Sequence, residues 1–172
     1  MMMAEEQKTC CFFGHRKIAY TEQLRERLYK IIEELILYNN VSVFLFGSKS
    51  DFDKLCLSVV TNLKEKYPHI QRVYVRAEYP HINDDYMAYL LQSYEYTYFP
   101  QRAINAGKAI YVERNYEMID RSNICIVYYK NDYEPPKRKN SRRDLTDYQP
   151  KSGTKIAYEY AQRKKKDIIH LF

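Results

Sequence analysis

Hydrophobic positions along this chain alternate between two rhythms, short runs apolar at nearly every position and longer stretches with an apolar residue every three or four. The first run, Thr9 to Phe13 (TCCFF), reads as a strand. Thr21 to Tyr38 follows with Leu24, Leu28, Ile31, Ile32, Leu35 and Ile36 on one stripe, which predicts an amphipathic helix. The unit repeats: Val41 to Phe46 (VSVFLF) predicts a strand, and Phe52 to Tyr67 a helix that buries Leu55, Cys56, Val59, Val60 and Leu63 and is closed by Pro68. A third strand is expected at Arg72 to Val75 and two more at Ile124 to Tyr129 and Asp167 to Phe172, each after a helical segment. Runs as apolar as VSVFLF and ICIVYY suit a sheet covered on both faces. Strand and helix alternation of this kind predicts a Rossmann-like parallel sheet with right-handed crossovers, a three-layer α/β/α fold whose first and fourth predicted strands flank the topological switch point.

Two stretches break the rhythm. Pro80 to Val112 mixes a strand-like tyrosine period in YEYTYF with a helical look over Tyr86 to Leu91, and is expected to be an irregular insert. Lys130 to Ser152 holds three prolines, several charges and almost no aliphatic side chains, and is expected to be a long basic loop. With 172 residues and 45% hydrophobic content, the chain suits one domain spanning 1–172.

Charge and cysteine content narrow the function classes. The net charge of +6 gathers in Lys137, Arg138, Lys139, Arg142, Arg143 and the run Arg163 to Lys166, while the rest of the chain is nearly balanced. A basic loop and a basic helix end are commonly solvated surface, so nucleic acid is the weaker expectation. The start MMMAEEQK lacks the basic and then apolar pattern of a signal peptide, and no apolar run approaches the roughly 20 residues of a membrane span, so the expected location is cytoplasmic, with no membrane partner. Cys10 and Cys11 are adjacent in a strand and point to opposite faces, and Cys56 and Cys125 sit in apolar periodic segments, which predicts reduced core thiols. His15, His69, His81 and His170 share no ligand spacing, so no metal and no cofactor are expected. The chain is open to self-association as a homo-oligomer.

Candidate chemistry centres on glycine. The chain has four, and three stand at strand-to-helix junctions: Gly14 after the first strand, Gly47 after the second, and Gly153 at the start of the last helix. A glycine there permits a positive φ or close approach of a ligand, and the amides of the following helix start can hold an anion. In an open parallel sheet these junctions share one edge, where ligands bind. Ser152, Gly153 and Thr154 therefore join Gly14 and Gly47 as candidates. His15 and Arg16 follow the first strand, where cationic groups would meet a phosphate. Asp53 could accept ribose hydroxyls or cap the second helix in competition with Ser50 and Asp51.

The segments FFGHRK, FGSKSDFD, ERNYEMIDRSNICIVYY and SGTKIAYEYA, in this order and spacing, resemble the YpsA-like branch of the SLOG superfamily, related to the LOG phosphoribohydrolases and to the single-strand-DNA-binding DprA proteins. The resemblance implies binding or sensing of a nucleotide-derived, phosphate-bearing small molecule at the C-terminal edge of the sheet. Glu113, Arg114 and Met118 match the first part of the LOG pattern and Gly153-Thr154 part of the second, so Arg114 corresponds to an arginine of the phosphoribosyl site. A guanidinium suits phosphate because its planar fork makes two hydrogen bonds and stays charged. The Pro-Gly-Gly run is absent, and Ile156 and Ala157 stand where the acids of the enzyme pattern belong. Of the remaining carboxylates Asp53, Glu117 and Glu159, the candidates for a catalytic acid are Glu159 and Asp53, and N-glycosidic hydrolysis of nucleotides is the alternative to binding. DprA-like binding of single-stranded DNA is a second alternative.

Overall fold

A computed structural model describes residues 6–130 and 153–171. Six parallel strands run in the spatial order β4-β3-β2-β1-β5-β6: β1 Lys8–Gly14, β2 Val41–Phe46, β3 Gln71–Val75, β4 Tyr96–Tyr98, β5 Ile124–Tyr128 and β6 Asp167–His170. Five helices surround them: α1 Glu22–Tyr38, α2 Asp51–Lys66, α3 Asp84–Leu90, α4 Ile110–Arg121 and α5 Gly153–Arg163. This is the expected three-layer α/β/α arrangement. The order reverses between β1 and β5, the first strand and the predicted fourth, so the switch point lies where the sequence rhythm put it.

The strands separate two cores. Cys10, Phe12, Phe44, Phe46 and Ile126 pack with Leu28, Ile32, Phe52, Val59 and Leu63 of α1 and α2. Cys11, Phe13, Leu45, Val75 and Val127 face the other way, against Met118 and Ile119 of α4 and Ala157 and Ala161 of α5. The adjacent cysteines thus point to opposite faces, as strand geometry requires. All four cysteines are buried and reduced, and the Cys11 thiol lies 3.5 Å from Cys125 Sγ across the β1–β5 pair. Burial pushes the Cys11 thiol well up, which keeps it unreactive.

The insert is more regular than its sequence suggests. Within it Asn83 caps α3 through a 2.8 Å bond from the Tyr86 amide, Tyr96–Tyr98 adds an edge strand to β3, and two 3-10 turns lead into α4. The sheet therefore has six strands where five were expected. Tyr96 and Tyr98 stack side by side on one face and only Thr97 is buried, so at this edge the aromatic side chains give no inward apolar signal. The one glycine with positive φ is also here, Gly107 at 58°.

Elsewhere element boundaries shift by one or two residues. Thr21 caps α1 by accepting from the Leu24 amide, and β6 ends at His170 where the prediction ran to Phe172. The basic loop from 131 to 152, with Ser152, lies outside the described residues.

Candidate functional site

The strand ends open onto a cleft of about 450 Å³. Its lining includes Gly14, His15 and Arg16 after β1, Gly47 to Ser50 after β2, Tyr74, Ala77 and Glu78 at the end of β3, Tyr111, Arg114 and Asn115 on α4, and Gly153 and Thr154 at the start of α5. Seven residues singled out in the sequence are thereby brought together: Gly14, His15, Arg16, Gly47, Arg114, Gly153 and Thr154.

Arg114 forms the floor, buried to 5% exposure. Its Nη1 donates to the Gly47 carbonyl and, at 3.5 Å, to the Val75 carbonyl, tying α4 to the ends of β2 and β3. Nε donates to Asn115 Oδ1 at 2.8 Å, and the Tyr111 ring lies 5.7 Å from Cζ. Nη2 has no hydrogen-bond partner among the described residues and is not sealed from solvent. Burial lowers the guanidinium pKa from its ordinary value, but the group stays charged at physiological pH.

The glycines at β1 and β2 serve packing. Neither has positive φ. A Cβ on Gly47 would sit 2.8 Å from Arg114 Cδ and 2.7 Å from Met118 Sδ, so glycine lets the arginine cross the strand end. A Cβ on Gly14 would meet the Phe52 ring at 2.2 Å. Gly153 is exposed and has open space where a Cβ would go.

Ser50 settles the capping competition on α2. Its hydroxyl accepts from the Asp53 amide at 3.0 Å and pairs with the Ser48 hydroxyl at 2.9 Å, so Asp53 is not the cap. The Asp53 carboxyl is buried, and Oδ1 finds no hydrogen-bond partner. Burial pushes its pKa up to about 8, against the opposing pull of Arg114 and the Gly47 amide. At neutral pH it is chiefly the neutral acid, and it lies beneath the cleft without lining it.

His15 differs from the cationic group expected of it. It is buried, packed against Tyr128 and Tyr129, and its Nε2 accepts the Lys130 amide at 2.7 Å. An amide can only donate, so that ring nitrogen carries no proton. Arg16 is exposed on the rim, its carbonyl held by the Asp51 amide at 2.8 Å. Glu159 is half-buried on α5 and does not line the cleft. Glu113 faces away, accepting from Arg102 at 3.1 Å.

Sequence reasoning missed the far wall. Glu78 meets Lys49 at 3.6 Å and the Tyr111 hydroxyl at 3.3 Å, with Tyr74 and Ala77 beside it. Two signals were available: Tyr111 stands three residues before Arg114, on the same helix face, and Ala77 and Glu78 follow a strand at the edge where ligands bind. Among the described residues no group of three or more His, Cys, Asp or Glu is placed to hold a metal ion, and no helix is long and apolar enough to cross a membrane. The chain matches no protein-family model and no curated protein.

Proposed function

We propose that the cleft binds a nucleotide-derived, phosphate-bearing small molecule and holds it without efficient hydrolysis, as a ligand sensor in the YpsA-like branch of the SLOG superfamily. One observation carries the reading: a buried arginine anchored by three hydrogen bonds lines the strand-end cleft with its Nη2 uncommitted to any described residue. Around it stand what an anion needs: the starts of α2 and α5, the small residues Gly14 and Gly47, and the cations Arg16 and Lys49. Binding without chemistry follows from the acids. Ile156 and Ala157 cannot move a proton, Glu159 is outside the lining, a protonated Asp53 cannot serve as a base, and Glu78, the carboxylate in the lining, is held at the far wall by Lys49 and the Tyr111 hydroxyl.

The test is calorimetric titration with ribose 5-phosphate. Arg114→Met keeps the aliphatic stem and removes the charged contact, so affinity should fall by about 1.5–3 kcal/mol, roughly ten- to hundredfold. Unchanged affinity in a folded variant would remove the arginine from the site.

A second reading, N-glycosidic hydrolysis, is favoured by the same Asp53, because a carboxyl protonated at neutral pH is what a general acid requires. It demands that the ligand reach Asp53, which does not line the cleft. Release of free base from nucleoside monophosphates that is abolished by Asp53→Asn would establish it.

A further inference from the structure

The two ends of the cleft are chemically different. At the β1 and α5 end the lining is glycine, hydroxyl and cation; at the β3 end it is Tyr74, Ala77, Tyr111, Glu78 and Asn115. Two strand spacings, roughly 10 Å, separate the end of β1 from that of β3, room enough to part a phosphate from a base. Tyr74 stacks on Tyr94 and Arg114 lies over one side of the Tyr111 ring, so the exposed Tyr111 has its other face for stacking a planar group.

The polar groups at the β3 end form a donor and acceptor pattern. Glu78 is a carboxylate and only accepts. Tyr111 holds one of its oxygens at 3.3 Å, while the 3.6 Å ion pair to Lys49 is exposed, so that lysine exchanges readily for a ligand. Asn115 spends its side-chain oxygen on Arg114 Nε, which leaves its amide nitrogen to donate. The wall therefore presents one donor and one paired acceptor.

Among the common bases, guanine matches this pattern. It sets a carbonyl acceptor, O6, beside two adjacent donors, N1–H and the N2 amine. Adenine and cytosine put a ring lone pair next to their amine, which would face the carboxylate and be repelled. Uracil offers a single N–H between two carbonyls. Resting on the nucleotide reading of the cleft, we infer that its preferred ligands carry guanine, with Glu78 accepting from N1–H and the N2 amine, Asn115 donating to O6, the phosphate at the glycine junctions of the β1 and α5 end, and Arg114 reaching it from the floor between the two.

The experiment is equilibrium titration of the full chain with ribose 5-phosphate and with guanosine, inosine and adenosine monophosphates, repeated on Glu78→Gln and Arg114→Met. The guanosine ligand should bind tighter than the adenosine one by roughly tenfold or more, with inosine, which lacks the N2 amine, between them. Glu78→Gln should erase that order, bringing the guanosine and adenosine ligands to within about twofold of each other, because the carboxylate is what distinguishes the bases. Equal or tighter binding of the adenosine ligand, or a guanine preference that survives Glu78→Gln, overturns the inference while the nucleotide site stands. If no phosphate ligand binds, or Arg114→Met changes none of the affinities, the cleft reading falls together with it.

Discussion

Arg76 and Arg114 are both buried, at 8% and 5% exposure, and both sit by the end of β3, yet they are built for different ends. Arg76 spends every nitrogen on the fold: Nε on the Tyr79 carbonyl at 3.1 Å, Nη1 on the Thr97 hydroxyl at 3.2 Å, Nη2 on the Pro80 carbonyl at 3.3 Å. Arg114 spends two and keeps the third for the cleft. A guanidinium nitrogen that is open to solvent and makes no bond to the protein can exchange water for a ligand, while the bonded nitrogens hold the group in place. The fully bonded arginine belongs to the architecture, and the partly bonded one marks the site. Asp53, buried near Arg114 with an unbonded oxygen, extends the contrast: the polar interior beneath the cleft is under-satisfied, while that around Arg76 is closed.

The contrast is sharpened most by pH. Because the folded-state pKa of Asp53 is raised from 3.8 to about 8, the native chain binds more protons than the unfolded one across that window. Its contribution to stability is therefore full below about pH 4, falls as pH rises toward 8, and is flat above, a loss on the order of a few kcal/mol. Asp53→Asn, which mimics the neutral acid, should flatten this part of a urea-denaturation profile taken between pH 4 and 9. A wild-type profile that instead rises steadily through this window, with no change in Asp53→Asn, would show that the acid ionises without penalty.

Arg76→Ala tests the closed side. It strands two carbonyls and the Thr97 hydroxyl, although that hydroxyl still donates to the Tyr74 carbonyl at 2.8 Å, and it loosens β4 and the start of the insert. The expected loss is about 3 kcal/mol in chemical denaturation. A loss below about 1 kcal/mol would mean water replaces the guanidinium and the contrast is weaker than drawn.

Gly47→Ala falls between the two. Its Cβ would overlap the Arg114 stem and the Met118 sulfur, and both are flexible enough to shift by part of an ångström. Overpacking of this kind typically removes about 1–2 kcal/mol of stability. Because the displaced group is the floor of the cleft, phosphate affinity should fall with it, whereas Gly153→Ala, with open space around it, should leave stability unchanged.

The layers of the fold were legible because strands covered on both faces are apolar at nearly every position and amphipathic helices repeat apolar side chains at a period of 3.6, as VSVFLF and the Leu24 to Ile36 stripe do. The edge strand was harder to read: YEYTYF carries a strand-like tyrosine period, but Tyr96 and Tyr98 are partly exposed, so burial adds no apolar pattern to set against the helical look of Tyr86 to Leu91. On the site, the glycine junctions were legible through topology and the arginine through the resemblance of the motif around it, but the reason for the glycines was not. Their packing against Phe52 and Arg114 depends on partners distant in sequence. The engagement of His15 was not legible for the same reason, as its acceptor is held by an amide 115 residues away.

The smallest expected effect separates rim from floor. Arg16 and Arg114 line the same cleft, but Arg16 is exposed, and its backbone, not its guanidinium, is what the fold holds. A solvated guanidinium interacts with a bound phosphate through water and mobile ions, and at physiological salt the field of such a charge decays over roughly 8 Å. Its contribution to affinity should then be small, about 0.5 kcal/mol, and should vanish as salt is raised. The influence of Arg16 should be clearer in the association rate, because a rim cation steers an anion toward the opening before contact is made. Arg114, desolvated and anchored, should act mainly on dissociation and keep its effect in salt. Stopped-flow binding of a fluorescent nucleoside monophosphate to Arg16→Ala and Arg114→Met, at low and at high salt, resolves the two. If Arg16→Ala instead slows nothing and accelerates release tenfold at high salt, the exposed arginine makes a direct, desolvated contact in the complex, and the floor-and-rim division must be redrawn with both arginines gripping the phosphate.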